Sequence, residues 1–342
     1  MDDLAKYQAL GNFILASGEN GYHQIMKRIS PFIPSYIQLH DSGVLKERIE
    51  QSVEILKNCT LCPRHCEVNR LAGKMGVCQT TIKAVVSSYQ AHFGEEFPLI
   101  GSHGSGTIFF THCNLLCNFC QNYEISHHGE GEEVSTGQIA AIMLFLQRRG
   151  CHNINLVTPS HVVPQILAAI DLAVQQGLTI PLVYNTSAYD EVNTLKLLEG
   201  VIDIYMPDFK FWEIDVAKMT CRAPDYPEIA RQAIIEMYRQ VGDLVIDESG
   251  LAQRGLLVRH LILPNNLAGT QEIMRFIVKQ ISPNTYMNIM PQYRPSRPAF
   301  RQKELACRIS PEEYEAVLQI ARAEGIIRWD DRANHFMTLV AQ

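Results

Sequence analysis

The sequence predicts an α/β protein, with strands and helices alternating from residue 106 onward behind a helical and cysteine-rich extension. Three observations carry that prediction. Short apolar runs recur at 107–111, 153–158, 181–185, 202–207, 256–263 and 286–290. Most are nearly continuous in apolar residues, the signature of parallel strands covered on both faces. Helical stretches at 136–149, 163–176, 191–198, 227–241, 270–281 and 311–323 separate and follow them. In the first, Ile139, Ile142, Met143 and Leu146 repeat at the i, i+3, i+4 spacing of one buried face. Third, Gly150, Gly177 and Gly200 stand where helices should end.

The chain of 342 residues, 46% hydrophobic, has length for about two domains or one barrel with an appendage. Composition divides it into a helical segment (1–57), a four-cysteine region (58–105), the strand–helix region (106–300) and a C-terminal helix and tail (301–342). In the first segment Leu4, Tyr7 and Leu10 recur near helical spacing, as do Val44, Ile49, Val53 and Leu56, with breaks at Pro31 and Pro34. The formal net charge of −6 offers no general attraction to nucleic acid or an anionic membrane. No run of 18 apolar residues predicts a membrane span. The start, Met1 to Lys6, lacks the basic and apolar regions of a secretory signal. Ten cysteines in such a chain argue for metal ligation before disulfides, and for the cytoplasm.

Two cysteine sets stand out. Cys59, Cys62, Cys66 and Cys78 form C-x2-C-x3-C-x11-C, with Pro63, Gly73 and Gly76 suited to tight turns. Four thiolates can close a structural zinc or hold a second iron–sulfur cluster, and spacing does not choose between them. Cys113, Cys117 and Cys120 form C-x3-C-x2-C directly after the 107–111 strand. Three thiolates on a tight loop can hold three irons of a [4Fe–4S] cluster. The next cysteine is Cys151, so the fourth iron is left open. A zinc loop is the alternative, although zinc sites usually show paired C-x2–4-C units and four closed ligands.

This loop resembles that of the radical S-adenosylmethionine (SAM) superfamily. The resemblance implies an open, partial (β/α)6 TIM-like barrel with its site at the C-terminal strand ends. It also implies a [4Fe–4S] cluster whose open iron chelates SAM, and reductive cleavage of SAM to a 5′-deoxyadenosyl radical. Phe119 matches the aromatic placed against adenine. The second strand ends in Thr158-Pro-Ser-His161, where pyruvate formate-lyase activating enzymes carry Gly-Gly-Glu against the SAM amino group. Here Pro159, Ser160 and His161 replace that segment, leaving backbone near Thr158 to make the contact. Asn185 and Ser187 are similar to a segment near the ribose. Asp208 and Lys210 match the subgroup's Asp-x-Lys, and Arg259 an arginine near the SAM carboxylate. Gln292 or Tyr293 stands where the subgroup often has histidine. No catalytic side chain is implied beyond the cluster and SAM.

Plainer readings accompany each of these. Asp208 and Lys210 would make an ion pair at a barrel rim, Arg259 could anchor a helix C-terminus, and Asn185 and Ser187 could cap the next helix. The two cysteine sets with Asp-x-Lys resemble the PflX-like branch related to pyruvate formate-lyase activating enzymes, over roughly residues 55 to 300. That branch implies an oxidoreductase, a flavodoxin or ferredoxin reductant, and a glycyl radical enzyme as substrate; a small molecule or another protein is equally open. The alternative from another class is a non-enzymatic iron–sulfur electron carrier or a metal-stabilised binding module.

Overall fold

The computed structural model describes residues 32–296, 299 and 302–330. Its strands are β1 Ala84–His92, β2 Ser105–Phe110, β3 Glu132–Val134, β4 Ile154–Val157, β5 Leu182–Thr186, β6 Ile204–Pro207, β7 Val245–Ile246, β8 Ala252–Leu261 and β9 Tyr286–Met290. They join in the order β3-β1-β2-β4-β5-β6-β8-β7, with β9 paired to β8. The six strands read from the sequence are β2, β4, β5, β6, β8 and β9, each parallel to the one before it. The fold is therefore mixed α/β on a mostly parallel sheet. β5 and β6 are buried along their whole length, as strands covered on both faces must be.

The helices are α1 Ser35–Asp41, α2 Val44–Ile55, α3 Phe97–Ile100, α4 Tyr123–His128, α5 Thr136–Arg148, α6 Val163–Gln175, α7 Val192–Leu197, α8 Ile214–Cys221, α9 Tyr226–Val241, α10 Thr270–Phe276 and α11 Pro311–Glu324. The start of α5 is fixed by a capping box between Ser135 and Gln138, and that of α11 by one between Ser310 and Glu313. Gly150 and Gly177 follow α5 and α6 at φ +86° and +92°, the left-handed geometry that ends a helix. The 270–281 stretch divides: α10 stops at Phe276 and a π-helical turn, Ile277–Ile281, completes it.

Several expectations change. β1 was not legible because Ser87, Ser88, Tyr89 and Gln90 offer no apolar run, and its centre is half-exposed. It lies antiparallel on β2, so the boundary expected at 105 falls within one sheet. β3 and β7 are short edge pieces. Cys221 is the last residue of the helix α8. His103 lies at the end where the parallel strands begin, its ring 5.5 Å from that of His152, far from the strand ends that bear the cysteine loop. Of the 1–57 segment, α1 and α2 are described and rest on the α6 side, through Tyr36 Oη donating to Ile180 O at 2.8 Å and His40 pairing with Asp171 at 2.7 Å. Leu4, Tyr7, Leu10 and Pro31 lie outside the described residues, as do Arg297, Pro298, Arg301 and residues 331–342. No helix among the described residues is long and apolar enough to cross a membrane.

His260 ties the sheet to α10. On β8 it is fully buried, with Nδ1 bonded to Phe209 O at 2.8 Å and Nε2 to Thr270 Oγ1 at 2.9 Å. Burial, partly offset by the bond to Phe209, lowers its pKa to about 4. Between that value and 6.5 the unfolded chain binds a proton that the folded chain refuses. Stability from this group is thus complete above pH 6.5 and is lost as pH falls towards 4. The loss is on the order of 3 kcal/mol. Urea unfolding across that pH range should show it, and His260→Gln should flatten the slope; an unchanged slope would remove His260 as its source.

Candidate functional site

The chain leaves β2 at Phe110 and turns sharply into the cysteine loop. His112 and Leu116 both adopt left-handed conformations, at φ +63° and +57°, which non-glycine residues rarely hold. The His112 ring lies flush against Gly129, where a side chain would have no room. These turns bring Cys113, Cys117 and Cys120 to the wall of one cavity of about 240 Å³, far larger than the ~10–15 Å³ that a single water needs. Phe119, Thr158, Asn185, Ser187, Asp208, Lys210 and Arg259 border the same cavity. Every residue nominated for the cluster and SAM is therefore at one place, supplied by the ends of β2, β4, β5, β6 and β8.

The three thiols are unpaired. The Leu115 amide donates to Cys113 Sγ at 3.3 Å and Ser126 Oγ to Cys120 Sγ at 3.2 Å. Burial pushes Cys113 up to about 12 and raises Cys120. Cys117 is raised by a hydrogen bond with the Cys221 thiol and by burial, against the pull of the Lys210 ammonium. Left without a cation, these groups stay protonated; a metal would displace the protons. Cys221 itself borders a separate cavity behind the loop, with Arg64 and Met219.

Opposite the thiols lies a buried charge network. Asp208 receives Lys210 Nζ at 2.7 Å and Arg259 Nε at 2.6 Å. Arg259 Nη2 reaches Asn185 Oδ1 at 2.7 Å, and its Nη1 lies 3.7 Å from Glu95 and 4.0 Å from Glu96. Burial alone would raise Asp208, but Arg259 and Lys210 outweigh it and the net shift is downward. Burial likewise opposes charge on Lys210 and Arg259, and their acidic neighbours turn both shifts upward. Asp208 and Lys210 are thus an ion pair, as the plain reading had it, and one that faces the cavity. Arg259 sits at no helix C-terminus, and Glu191 is the N-cap of α7, so Asn185 and Ser187 do not cap it.

The structure separates other candidates. Gln292 borders the cavity, whereas Tyr293 is buried against Phe119 with ring centroids 5.9 Å apart. His161, in the place of the expected glutamate, does not border the cavity; its Nε2 donates to Thr111 O at 2.8 Å. Burial lowers its pKa to about 3, so the ring is neutral. Glu95, Glu96 and Tyr226 were missed. The Tyr226 hydroxyl lies 2.9–3.0 Å from Lys210 N, Asp208 O and Ser187 O, holding two strand ends together. No local pattern marks it, because its partners lie 16 to 39 residues away.

Cys59, Cys62, Cys66 and Cys78 meet around a narrower gap of about 10 Å³, bordered also by Arg64, Arg70 and His161. Burial pushes Cys62 up to about 12 and raises Cys78. Among the described residues, no group of three or more His, Cys, Asp or Glu side chains is arranged to hold a single metal ion. A lone zinc draws its sulfurs to about 2.3 Å. A four-iron cluster instead distributes its thiolates over separate irons, the demand that the wider first cavity suits.

Removing the carboxylate should expose how much the network depends on it. Asp208→Ala leaves two buried cations short of their counter-ion and should cost roughly 3–5 kcal/mol in urea unfolding. Asp208→Ala combined with Lys210→Met should recover part of that loss. A cost near zero for the single change would show that Asp208 does not hold the cations in place.

No protein-family model matches the chain. It is 31% identical over 286 residues to Uncharacterized protein MJ0674 of Methanocaldococcus jannaschii. The alignment covers 82% of this chain and 78% of that protein. At that identity and coverage, the chain belongs to the same family as the Methanocaldococcus jannaschii protein.

Proposed function

We propose that the protein is a radical SAM iron–sulfur enzyme. The observation that carries this reading is the convergence of Cys113, Cys117 and Cys120 with Phe119, Thr158, Asn185, Ser187, Asp208, Lys210 and Arg259 on one cavity. When bound, a [4Fe–4S] cluster and SAM would supply the reductive cleavage that yields methionine and a 5′-deoxyadenosyl radical.

The chain's own residues would bind and shield. Cys113, Cys117 and Cys120 would hold three irons, with Leu115 N–H and Ser126 Oγ–H on two of the sulfurs. Arg259, kept charged by Asp208, would balance the SAM carboxylate. The Asn185 oxygen is committed to Arg259, so its amide N–H groups are left for the ribose, beside Ser187. Phe119, braced edge-on by Phe211 and Tyr293, offers its remaining surface to the adenine. A partial (β/α)6 barrel is part of this reading. Its support is that residues at the ends of β2 and β9, the first and sixth parallel strands, border the same cavity, which requires a curved sheet. The electron would come from a flavodoxin or ferredoxin, and the four-cysteine set would carry an iron–sulfur cluster or zinc. Within the class, the substrate is a glycine of a glycyl radical enzyme, another protein or a small molecule.

An electron carrier would need its fourth iron capped by the protein. Cys221, whose thiol hydrogen-bonds Cys117, is the thiol to offer, but it is not among the residues that border the cavity shared by the three loop cysteines. Anaerobically reconstituted, reduced protein should convert SAM to 5′-deoxyadenosine and methionine, resolved by chromatography. Cys113→Ser should abolish the conversion and Cys221→Ser should leave it. Intact SAM after prolonged reduction would return the protein to the carrier class, and turnover that survives Cys113→Ser would remove the three-cysteine loop as the site of cleavage. An activase would in addition place a glycyl radical, seen by electron paramagnetic resonance, on a partner polypeptide.

A further inference from the structure

We propose that the four-cysteine segment is a clamp on the three-cysteine loop, with Arg64 and Arg70 as its positioning residues. Filling the first cysteine site would then set the geometry of the second. The inference rests on the reading that both cysteine sets are occupied in the working protein.

Arg64 lies between Cys62 and Cys66 in sequence. Its guanidinium leaves the segment and donates to four main-chain carbonyls. Nε reaches Asn114 O at 2.8 Å and Nη2 reaches Leu115 O at 3.2 Å. Nη2 also reaches Cys221 O at 3.0 Å, and Nη1 reaches Arg222 O at 2.9 Å. Asn114 and Leu115 stand between Cys113 and Cys117, where the loop has no sheet or helix to satisfy its carbonyls. A planar fork with five N–H groups can meet several carbonyls at once; a lysine cannot. The Tyr189 ring covers the guanidinium at 5.2 Å, and Tyr189 O accepts from Asn114 Nδ2 at 2.6 Å. Asn114 is thus held through both its carbonyl and its side chain.

Arg70 makes a second connection. It is 1% exposed, donates to Thr81 O through Nε and Nη2, and reaches His161 O at 2.9 Å through Nη1. The same Nη1 lies 3.9 Å from Cys59 Sγ. His161 passes the connection on, because its Nε2 donates to Thr111 O two residues before Cys113. The segment therefore grips the loop at its start and at its first turn, where His112 and Leu116 hold uncommon backbone conformations.

The segment has little structure of its own. Between α2 and β1 its regular elements are two short 3-10 turns, Leu56–Asn58 and Arg70–Ala72, and His65, Glu67 and Gln79 are left-handed. Such a segment takes its shape from the ligands that its cysteines share. Outside its cysteines the segment is held at few points, Leu61 O by Thr194 Oγ1 at 2.8 Å and His65 by Glu191 at 2.8 Å, so ligands shared by Cys59, Cys62, Cys66 and Cys78 would tighten the anchorage of Arg64 and Arg70.

The test uses the full chain carrying Cys113→Ala, Cys117→Ala and Cys120→Ala, so that only the four-cysteine set can be loaded, with zinc as the first probe. Hydrogen exchange is read at the amides of residues 112, 118 and 120. Zinc should bind one per chain and slow these amides by at least about tenfold. With Arg64→Lys added, zinc should still bind one per chain while most of that slowing disappears; Arg148→Gln, on an exposed helical position, should leave it. Should zinc not bind, the same amides are read after loading with ferrous iron and sulfide; the proposal is overturned if neither loads the set, if the loaded set leaves the loop unslowed, or if the lysine variant is slowed as much as its parent. None of these readouts involves SAM. A clamp can therefore fail in a protein that cleaves SAM, and can stand in one that does not.

Discussion

The cavity keeps its shape because one ionised carboxylate stands between two buried cations. Asp208 ends β6, Lys210 follows it on the same strand end, and Arg259 arrives from the neighbouring β8. Burying charge is expensive unless each group is paired and hydrogen-bonded. Here the pairing crosses between strands, so the charges can be satisfied only when β6 and β8 are in register. Arg259 then extends the constraint to β5 through Asn185 and towards β9 through Glu96, which receives Asn288 Nδ2 at 2.7 Å. The polar end of the parallel strands is thus one electrostatic unit, and the cysteine loop lies across from it.

The loop meets that unit through Lys210, whose ammonium acts on Cys117 and Cys120. A cation beside sulfur ligands favours their deprotonated, metal-holding form. The same loop is tied from behind by Arg64 and by the Arg70–His161 connection. It is held between a charged wall in front and a cysteine-rich segment behind, which accounts for a strained main chain persisting at His112 and Leu116.

Much of this was legible in the chain. The six parallel strands follow from continuous apolar runs, since a strand covered on both faces must be apolar throughout. The cavity residues were legible because each sits at a strand end, the one place in such a sheet where polar side chains gather. β1 was not, because a half-exposed strand has no such run. Tyr226 and Glu96 escaped because their value lies in partners brought near by folding. His161 misled in a useful way: its position suggested the cavity, while its ring turns back to Thr111.

The sequence by itself determined the parallel strands, the helices between them and the two sets of cysteines, because periodicity and spacing are local properties. Only the tertiary structure decided which strand ends share a cavity and that Asp208 is claimed by two cations. It also decided that the two cysteine sets, separate along the chain, are joined through Arg64 and Arg70. Hydrogen bonds and ion pairs between residues 50 to 158 positions apart leave no trace in a local pattern. They exist once apolar burial has closed the distance, and their geometry then sets the site.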